Sequence, residues 1–193
     1  MKWIEFMGPS GAGKSFLYER LVEHRTSNDS WITPEEAFEI VLEQSDFGMK
    51  LYLKRKFDAL TRLLLSRKHK PFELIPSKYQ KKAIDTHGTR FNFLSEIFIQ
   101  EFADAKNSEP KHNINLISWY YYKVLLPFIV LHASNINRTI VFEDGIVHNN
   151  RGIARLDALQ NMKRHVSNIL EIDLSDDVSV NCKRINSFSR KLG

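Results

Sequence analysis

Gly8-Pro9-Ser10-Gly11-Ala12-Gly13-Lys14-Ser15 is the stretch that decides the reading of this chain. It meets the spacing G-x-x-x-x-G-K-[ST] at Gly8, Gly13, Lys14 and Ser15. The glycines let the backbone curl tightly, so that successive amide N–H groups point inward at an anion. A helix that opens at the end of the loop adds the positive end of its dipole. Lys14 brings a point charge to the outer phosphates of a triphosphate, and the Ser15 hydroxyl suits the Mg2+ that bridges them. Gly8, Pro9, Ser10, Gly11, Ala12, Gly13, Lys14 and Ser15 are therefore expected to hold a nucleoside triphosphate.

The flanks supply the context the loop requires. Trp3–Met7 is a short apolar run that stops at glycine and predicts a strand. A helix is expected from about Lys14 to Arg25, with Leu17, Tyr18, Leu21 and Val22 on one face. Ser30–Thr33 reads as a short second strand. Thr33 as N-cap, Pro34 at the first position and Glu36 three residues after the cap start a second helix, which runs to about Gln44.

Residues 46–135 then read as one long helical insertion. Leu53, Phe57, Leu60 and Leu64 repeat at helical spacing, and Pro71 and Pro76 interrupt the pattern. Leu94, Ile97, Phe98, Phe102 and Ala105 form another stripe. Asn113–Ala133 is apolar nearly all round, which predicts a buried helix kinked or broken at Pro127. Strands return at Thr139–Phe142 and Asn168–Leu174, with a helix over Gly152–His165 between them. Ser175 is the expected cap of a last helix, Asp176–Ile185. The order predicts an α/β chain: a parallel sheet flanked by helices, one domain over 1–193, with 46–135 inserted into it.

Ile140-Val141-Phe142-Glu143-Asp144-Gly145 puts two acids at the end of a strand. A triphosphate site needs a carboxylate at a neighbouring strand end for its magnesium. Adjacent side chains leaving a strand diverge. Glu143 is assigned to the metal and Asp144 to the acceptor hydroxyl as its base. The loop that follows would lie over the ligand crevice, where His148 and Arg151 could touch the acceptor.

Composition narrows the class. Hydrophobic residues make up 42% and charged residues 26% of 193, values of an ordinary globular chain. No apolar run is expected to span a membrane, and no secretory signal stands ahead of Gly8. A single cysteine, Cys182, excludes an internal disulfide and a cysteine zinc site, so a cytoplasmic setting is expected. The net charge of +5 is uneven: residues 50–82 hold 11 Lys/Arg against Asp58 and Glu73. Nucleic acid or an anionic membrane would suit such a block. A solvated helix face explains it more simply, and nucleic acid is not the expected partner.

Neither the N-K-x-D guanine motif, the L-S-G-G-Q signature nor the G-x-G-x-x-G dinucleotide pattern occurs. What remains is a small ATP-using enzyme. The chain resembles the P-loop small-molecule kinases, the nucleoside, nucleotide and sugar kinases of the P-loop NTPase superfamily. Gly8–Ser15 carries the likeness most closely, and Glu143-Asp144-Gly145 looks like the acidic end of the group's third strand. Thr33-Pro34-Glu35-Glu36 resembles the segment in which nucleoside kinases carry a substrate-facing glutamate. Lys183-Arg184 and Arg190 resemble an arginine-rich lid.

The resemblance implies ATP and Mg2+ as cofactors and a small-molecule hydroxyl or phosphate as acceptor. It implies Glu35 as a substrate contact, and Arg184 and Arg190 as cations that neutralise charge on the transferred group from a mobile C-terminal segment. Trp119-Tyr120-Tyr121-Tyr122 would either wall the acceptor pocket or, more simply, pack in the core. The rival reading is a nucleotide-dependent switch or adaptor presenting its basic helical face to nucleic acid, a membrane or a protein.

Overall fold

The computed structural model describes residues 1–6, 13–26, 29–44, 53, 56–57, 70–103, 110–145, 170 and 176–192. Among them, three strands form one parallel sheet in the order β1 (Lys2–Glu5), β3 (Thr139–Phe142), β2 (Trp31–Ile32). β3 is the middle strand: Trp3 lies opposite Ile140 on one side, and Ile32 lies opposite Ile140 on the other. A strand hydrogen-bonded on both edges and covered on both faces needs continuous apolar character. Thr139-Ile140-Val141-Phe142 has it, with Ile140 and Val141 fully buried.

The strand order fixes where the helices go. From β1 the chain steps past the place of β3 to reach β2, then returns to fill the gap. Right-handed crossovers in opposite directions lie on opposite faces of the sheet. The two cores are divided accordingly. Val141, Trp31 and Phe6 pack with Leu17 and Leu21 of α1 (Lys14–Glu23) and with Cys182 and Ile185 of the last helix. Ile140 and Ile32 face the other way, onto α2 (Pro34–Gln44), which buries Ala37, Phe38, Val41 and Leu42, and onto the insertion. Neighbouring residues on a strand point to opposite faces, so the Trp31-Ile32 and Ile140-Val141 pairs each serve both cores.

The described part of the insertion is helical, as expected. After a 3-10 turn, Pro71–Leu74, come α3 (Ser77–His87), a second 3-10 turn (Gly88–Phe91), α4 (Asn92–Ala103) and α5 (Pro110–Tyr120). A π-helical segment, Tyr121–Leu125, follows and leads into α6 (Leu126–Ala133). Pro127 was expected to kink or break this helix. The chain stays helical through it without a break, and a π turn, which can accommodate the missing N–H and the clash of the ring with the preceding turn, stands directly upstream. Asn113–Ala133, 21 residues whose most apolar 18-residue window has a mean hydropathy of 1.4, is by length and composition long and apolar enough to cross a membrane. This corrects the expectation that no run reaches that length. Its second half is core: Leu125, Leu126, Phe128, Ile129, Val130 and Leu131 are buried, and α6 packs on α3 and α2. Of the aromatic run, Tyr120 is buried and stacked on Phe98 at 4.2 Å, while Trp119 and Tyr122 are exposed.

The expected last helix is present as α7 (Val178–Leu192), and it runs on past Ile185 through the stretch read as a lid. Asn181, Cys182, Ile185 and Ser189 fall at helical spacing and are all buried. Asp177 is its cap, accepting the Ser179 N–H at 2.7 Å, where Ser175 was expected. Two polar contacts tie it to the start of β2: the Trp31 indole donates to Asn186 Oδ1 at 2.7 Å, and the Ser30 and Ser189 hydroxyls lie 3.2 Å apart. Burial raises the Cys182 thiol pKa, so it packs as a small neutral side chain. The segments expected to form Gly152–His165 and Asn168–Leu174 lie outside the described residues except for Leu170, which packs on the α1 side.

His87 ends α3 and His132 nearly ends α6, with ring centroids 5.3 Å apart. Their Nδ1 atoms are buried and without a hydrogen-bond partner among the described residues. Burial, then the positive Met1 amino terminus, His87 and Arg90, hold the His132 imidazole below its ordinary value of 6.5. A lowered histidine stabilises fully above the unfolded value, and that stability is lost as pH falls below it. We expect the urea midpoint to drop between about pH 7.5 and pH 5, and His132→Leu to flatten the drop. An equally steep profile in the variant would remove His132 as its source.

Candidate active site

In this sheet all three strands run the same way, so Glu5, Ile32 and Phe142 end on one edge. Ligands of open parallel sheets bind outside that carboxyl edge. Three segments leave from it: the loop into α1, the start of α2, and Glu143-Asp144-Gly145.

Gly13 precedes α1 with φ 81° and ψ 14°, the left-handed region that glycine enters without strain. Its carbonyl accepts the Leu17 N–H at 3.0 Å and closes the first helical turn. Lys14 and Ser15 are therefore the first residues of a helix whose amino end faces the carboxyl edge, Lys14 half-buried and Ser15 exposed. Gly8, Pro9, Ser10, Gly11 and Ala12 lie outside the described residues, as do His148 and Arg151.

Glu143 is half-buried and Asp144 exposed directly after β3, and Gly145 is buried. A Cβ on Gly145 would stand 2.3 Å from a carboxylate oxygen of Glu5. The last residue of β1 thus lays its carboxylate against the Gly145 backbone, a closeness that only glycine permits. Glu5 is a third acid of this edge that sequence reasoning missed. The signal was present: Glu5 interrupts the apolar run of the first strand just before the loop.

Tyr18 was read only as an apolar position of α1. It stands one helical turn beyond Lys14, so the two share a face. Its ring meets Phe6 edge-on, with centroids 6.1 Å apart. Burial, then the charges of Glu35, Glu143 and Glu36 in that order, raise its hydroxyl well above the usual tyrosine range, with Arg25 opposing. The first turn of α2, which carries Glu35, and Glu143 after β3 both follow strands that end at this edge.

The two acids of α2 divide their work. Glu36 completes the expected capping box: the Thr33 N–H donates to its carboxylate at 2.8 Å, and its own N–H reaches the Thr33 hydroxyl at 3.3 Å. Both its oxygens also pair with the Arg25 guanidinium, which lies over the Trp31 ring at 5.1 Å. Arg25, then the Thr33 amide, draw its pKa down to about 2 against the cost of burial. Glu35 is exposed and carries no hydrogen bond or ion pair among the described residues.

The two C-terminal arginines each have an acidic partner. Arg184 pairs with Asp176 at 2.6 Å. Arg190 lies 3.8 Å from Asp29, ahead of β2 and so at the opposite edge of a parallel sheet. The helix that carries them packs on the α1 face through Cys182 and Ile185, and these contacts do not decide their expected role in neutralising the transferred group. For magnesium, no group of three His, Cys, Asp or Glu side chains gathers among the described residues. Mg2+ held with a nucleotide takes one or two protein oxygens and completes its shell with phosphates and water. Ser15 and Glu143, leaving the same edge, are of the hard oxygen type it takes. Comparison with protein-family models, with curated proteins and with solved structures finds no match for this chain.

The Glu36 pair sets an acid-dependent stability. A depressed carboxylate contributes fully above its ordinary value of 4.5, and the contribution is lost as pH falls to about 2. Discounted for partial exposure, Glu36→Gln should cost about 1 kcal/mol at neutral pH. In denaturant titrations the gap between variant and parent should close on acidification below pH 4.5. A gap independent of pH would assign it to packing instead.

Proposed function

We propose that the chain is an ATP- and Mg2+-dependent phosphotransferase acting on a small-molecule hydroxyl or phosphate. The observation that supports this best is that the helix opening with Lys14 and Ser15, the first turn of α2 with Glu35, and the Glu143-Asp144 pair all stand at one carboxyl edge of a parallel sheet. A nucleotide switch needs the loop and a magnesium carboxylate, whereas the exposed Glu35 and Asp144 at that edge suit an acceptor.

In this reading Lys14 and the amides at the start of α1 hold the outer phosphates. Asp144, exposed at the strand end, accepts the proton of the acceptor hydroxyl as its oxygen attacks the γ-phosphorus. The bond to the bridging oxygen breaks, and ADP leaves with the electron pair. Bound magnesium, with Ser15 and Glu143 as its protein oxygens, would neutralise phosphate charge during this transfer. Tyr18, one turn beyond Lys14, packs edge-on against Phe6.

Lys14→Ala removes the cation that the loop fixes on the phosphates. Charge-assisted contacts of this kind contribute roughly 1.5–3 kcal/mol, so ATP affinity should fall about ten- to hundredfold in calorimetry with Mg2+ present. Asp144→Asn should leave ATP affinity within about twofold and lower transfer by about 10²-fold or more. Equal ATP binding by Lys14→Ala and parent would defeat the proposal.

A further inference from the structure

We infer that Glu5 is a positioning residue: its carboxylate anchors the Glu143-Asp144-Gly145 turn to the end of β1 and so holds Glu143 in place for magnesium. That use of Glu143 belongs to the phosphotransferase reading, on which this role rests.

Alternation along β1 places the side chain. Trp3 meets Phe128 on the insertion side of the sheet, with ring centroids 5.0 Å apart. Ile4 and Phe6 pack on the α1 side. Neighbouring side chains on a strand point to opposite faces, so Glu5 shares the insertion side with Trp3. Glu5 is in register with Phe142 of β3, which packs on that same side. Pairing of the two strands continues to the edge, where the Phe6 N–H donates to the Phe142 carbonyl at 3.3 Å. By Gly145 the chain has come back over Glu5: a Cβ there would stand 2.3, 2.4 and 2.8 Å from Oε2, Cδ and Cγ of Glu5. The turn is thus folded toward β1, the strand that leads into the phosphate loop.

Chemistry gives the contact its use. By pattern the place of Glu5 suits an apolar side chain, since Trp3 and Phe142 share its face. A carboxylate can only accept hydrogen bonds, and the donors that a backbone turn offers are its N–H groups. An amide held by an ionised acceptor is bound roughly twice as strongly as by a neutral one. Gly145 is buried and Glu5 half-buried, so water competes little for this contact. Glu143 and Asp144 then lie between Phe142, fixed by the ladder of β3, and Gly145, fixed by Glu5. Held at both ends, Glu143 has little freedom left to lose when a metal ion binds. Glycine is required at 145 because a Cβ would take the place of the carboxylate. That carboxylate ends a flexible side chain, so Gly145→Ala should displace Glu5 and leave the fold intact.

The test uses the full chain and the variants Glu5→Ala, Glu5→Gln, Gly145→Ala and the double variant Glu5→Ala with Gly145→Ala. In hydrogen exchange, the Asp144 and Gly145 amides should exchange about tenfold faster or more in Glu5→Ala and in Gly145→Ala, with Ile140 and Val141 as in the parent. Glu5→Gln keeps an acceptor oxygen and should retain most of the protection. The double variant should be no worse than Glu5→Ala, since both substitutions remove one contact. Calorimetry of ATP with and without Mg2+ reads the consequence. Glu5→Ala should leave the Mg2+-free affinity within about twofold and lower the gain from Mg2+ about tenfold or more; a general loss of packing would lower both. Parental exchange at Asp144 and Gly145 in Glu5→Ala overturns the anchor, as do additive losses in the double variant. Faster exchange with an unchanged response to Mg2+ overturns the positioning role and leaves the phosphotransferase reading standing. A parent that binds no ATP, or binds it with no gain from Mg2+, overturns that reading and the role together.

Discussion

Hydrogen bonding of Thr139–Phe142 on both of its edges is the constraint from which the rest of the structure follows. With this strand between the other two, and all three parallel, every connection must cross a face of the sheet. Every functional segment must likewise leave from one edge. The start of α1, the first turn of α2 and the Glu143-Asp144 pair share an edge because their strands are neighbours, although more than a hundred residues separate the first from the last. Full burial of Ile140 and Val141 secures the middle strand on both sides. A charged group at either position would disrupt one core and the strand positions that carry the acids.

The two faces are built differently. One is compact: α1 and α7 enclose Trp31, Leu17, Leu21 and Ile185. The other is broad, because the insertion stacks α3 and α6 beyond α2. The helix through Tyr121–Leu125 and Pro127 serves both demands on it. The π turn can accommodate the proline, and the residues after it turn wholly inward against Phe91, Phe98 and the sheet. An apolar composition that would suit a membrane is thus, in its second half, the consequence of burial between two helices and a sheet.

Much of this was legible in the residues, for reasons that differ from element to element. The third strand was readable to its ends because three apolar residues stop at two acids. The start of α2 was readable because Thr33, Pro34 and Glu36 act locally, within one helical turn. Tyr18 read only as an apolar position, since the charges of Glu35 and Glu143 that raise its hydroxyl come from distant segments. Glu5 was hidden for the same reason, its partner Gly145 lying across the strand pair. The last helix was read as ending too early because half of its inner face is polar: Asn181 and Ser189 are buried alongside Cys182 and Ile185. A hydropathy pattern gives such a face too little weight, whereas a hydrogen bond such as that of Ser189 to Ser30 makes its burial acceptable.

The docking of α7 on α1 carries a consequence for the order of folding. The Trp31 indole finds its acceptor on Asn186, 155 residues further along the chain. Closing so long a loop precedes any gain from the contact, and such pairings form slowly. During synthesis, α1 and Trp31 emerge early, and their apolar faces wait for nearly the whole chain before the last helix covers them. The packing of α3 on α6 spans a much shorter separation in sequence. By that measure the contact of α7 with α1 and Trp31 is among the last to be sealed.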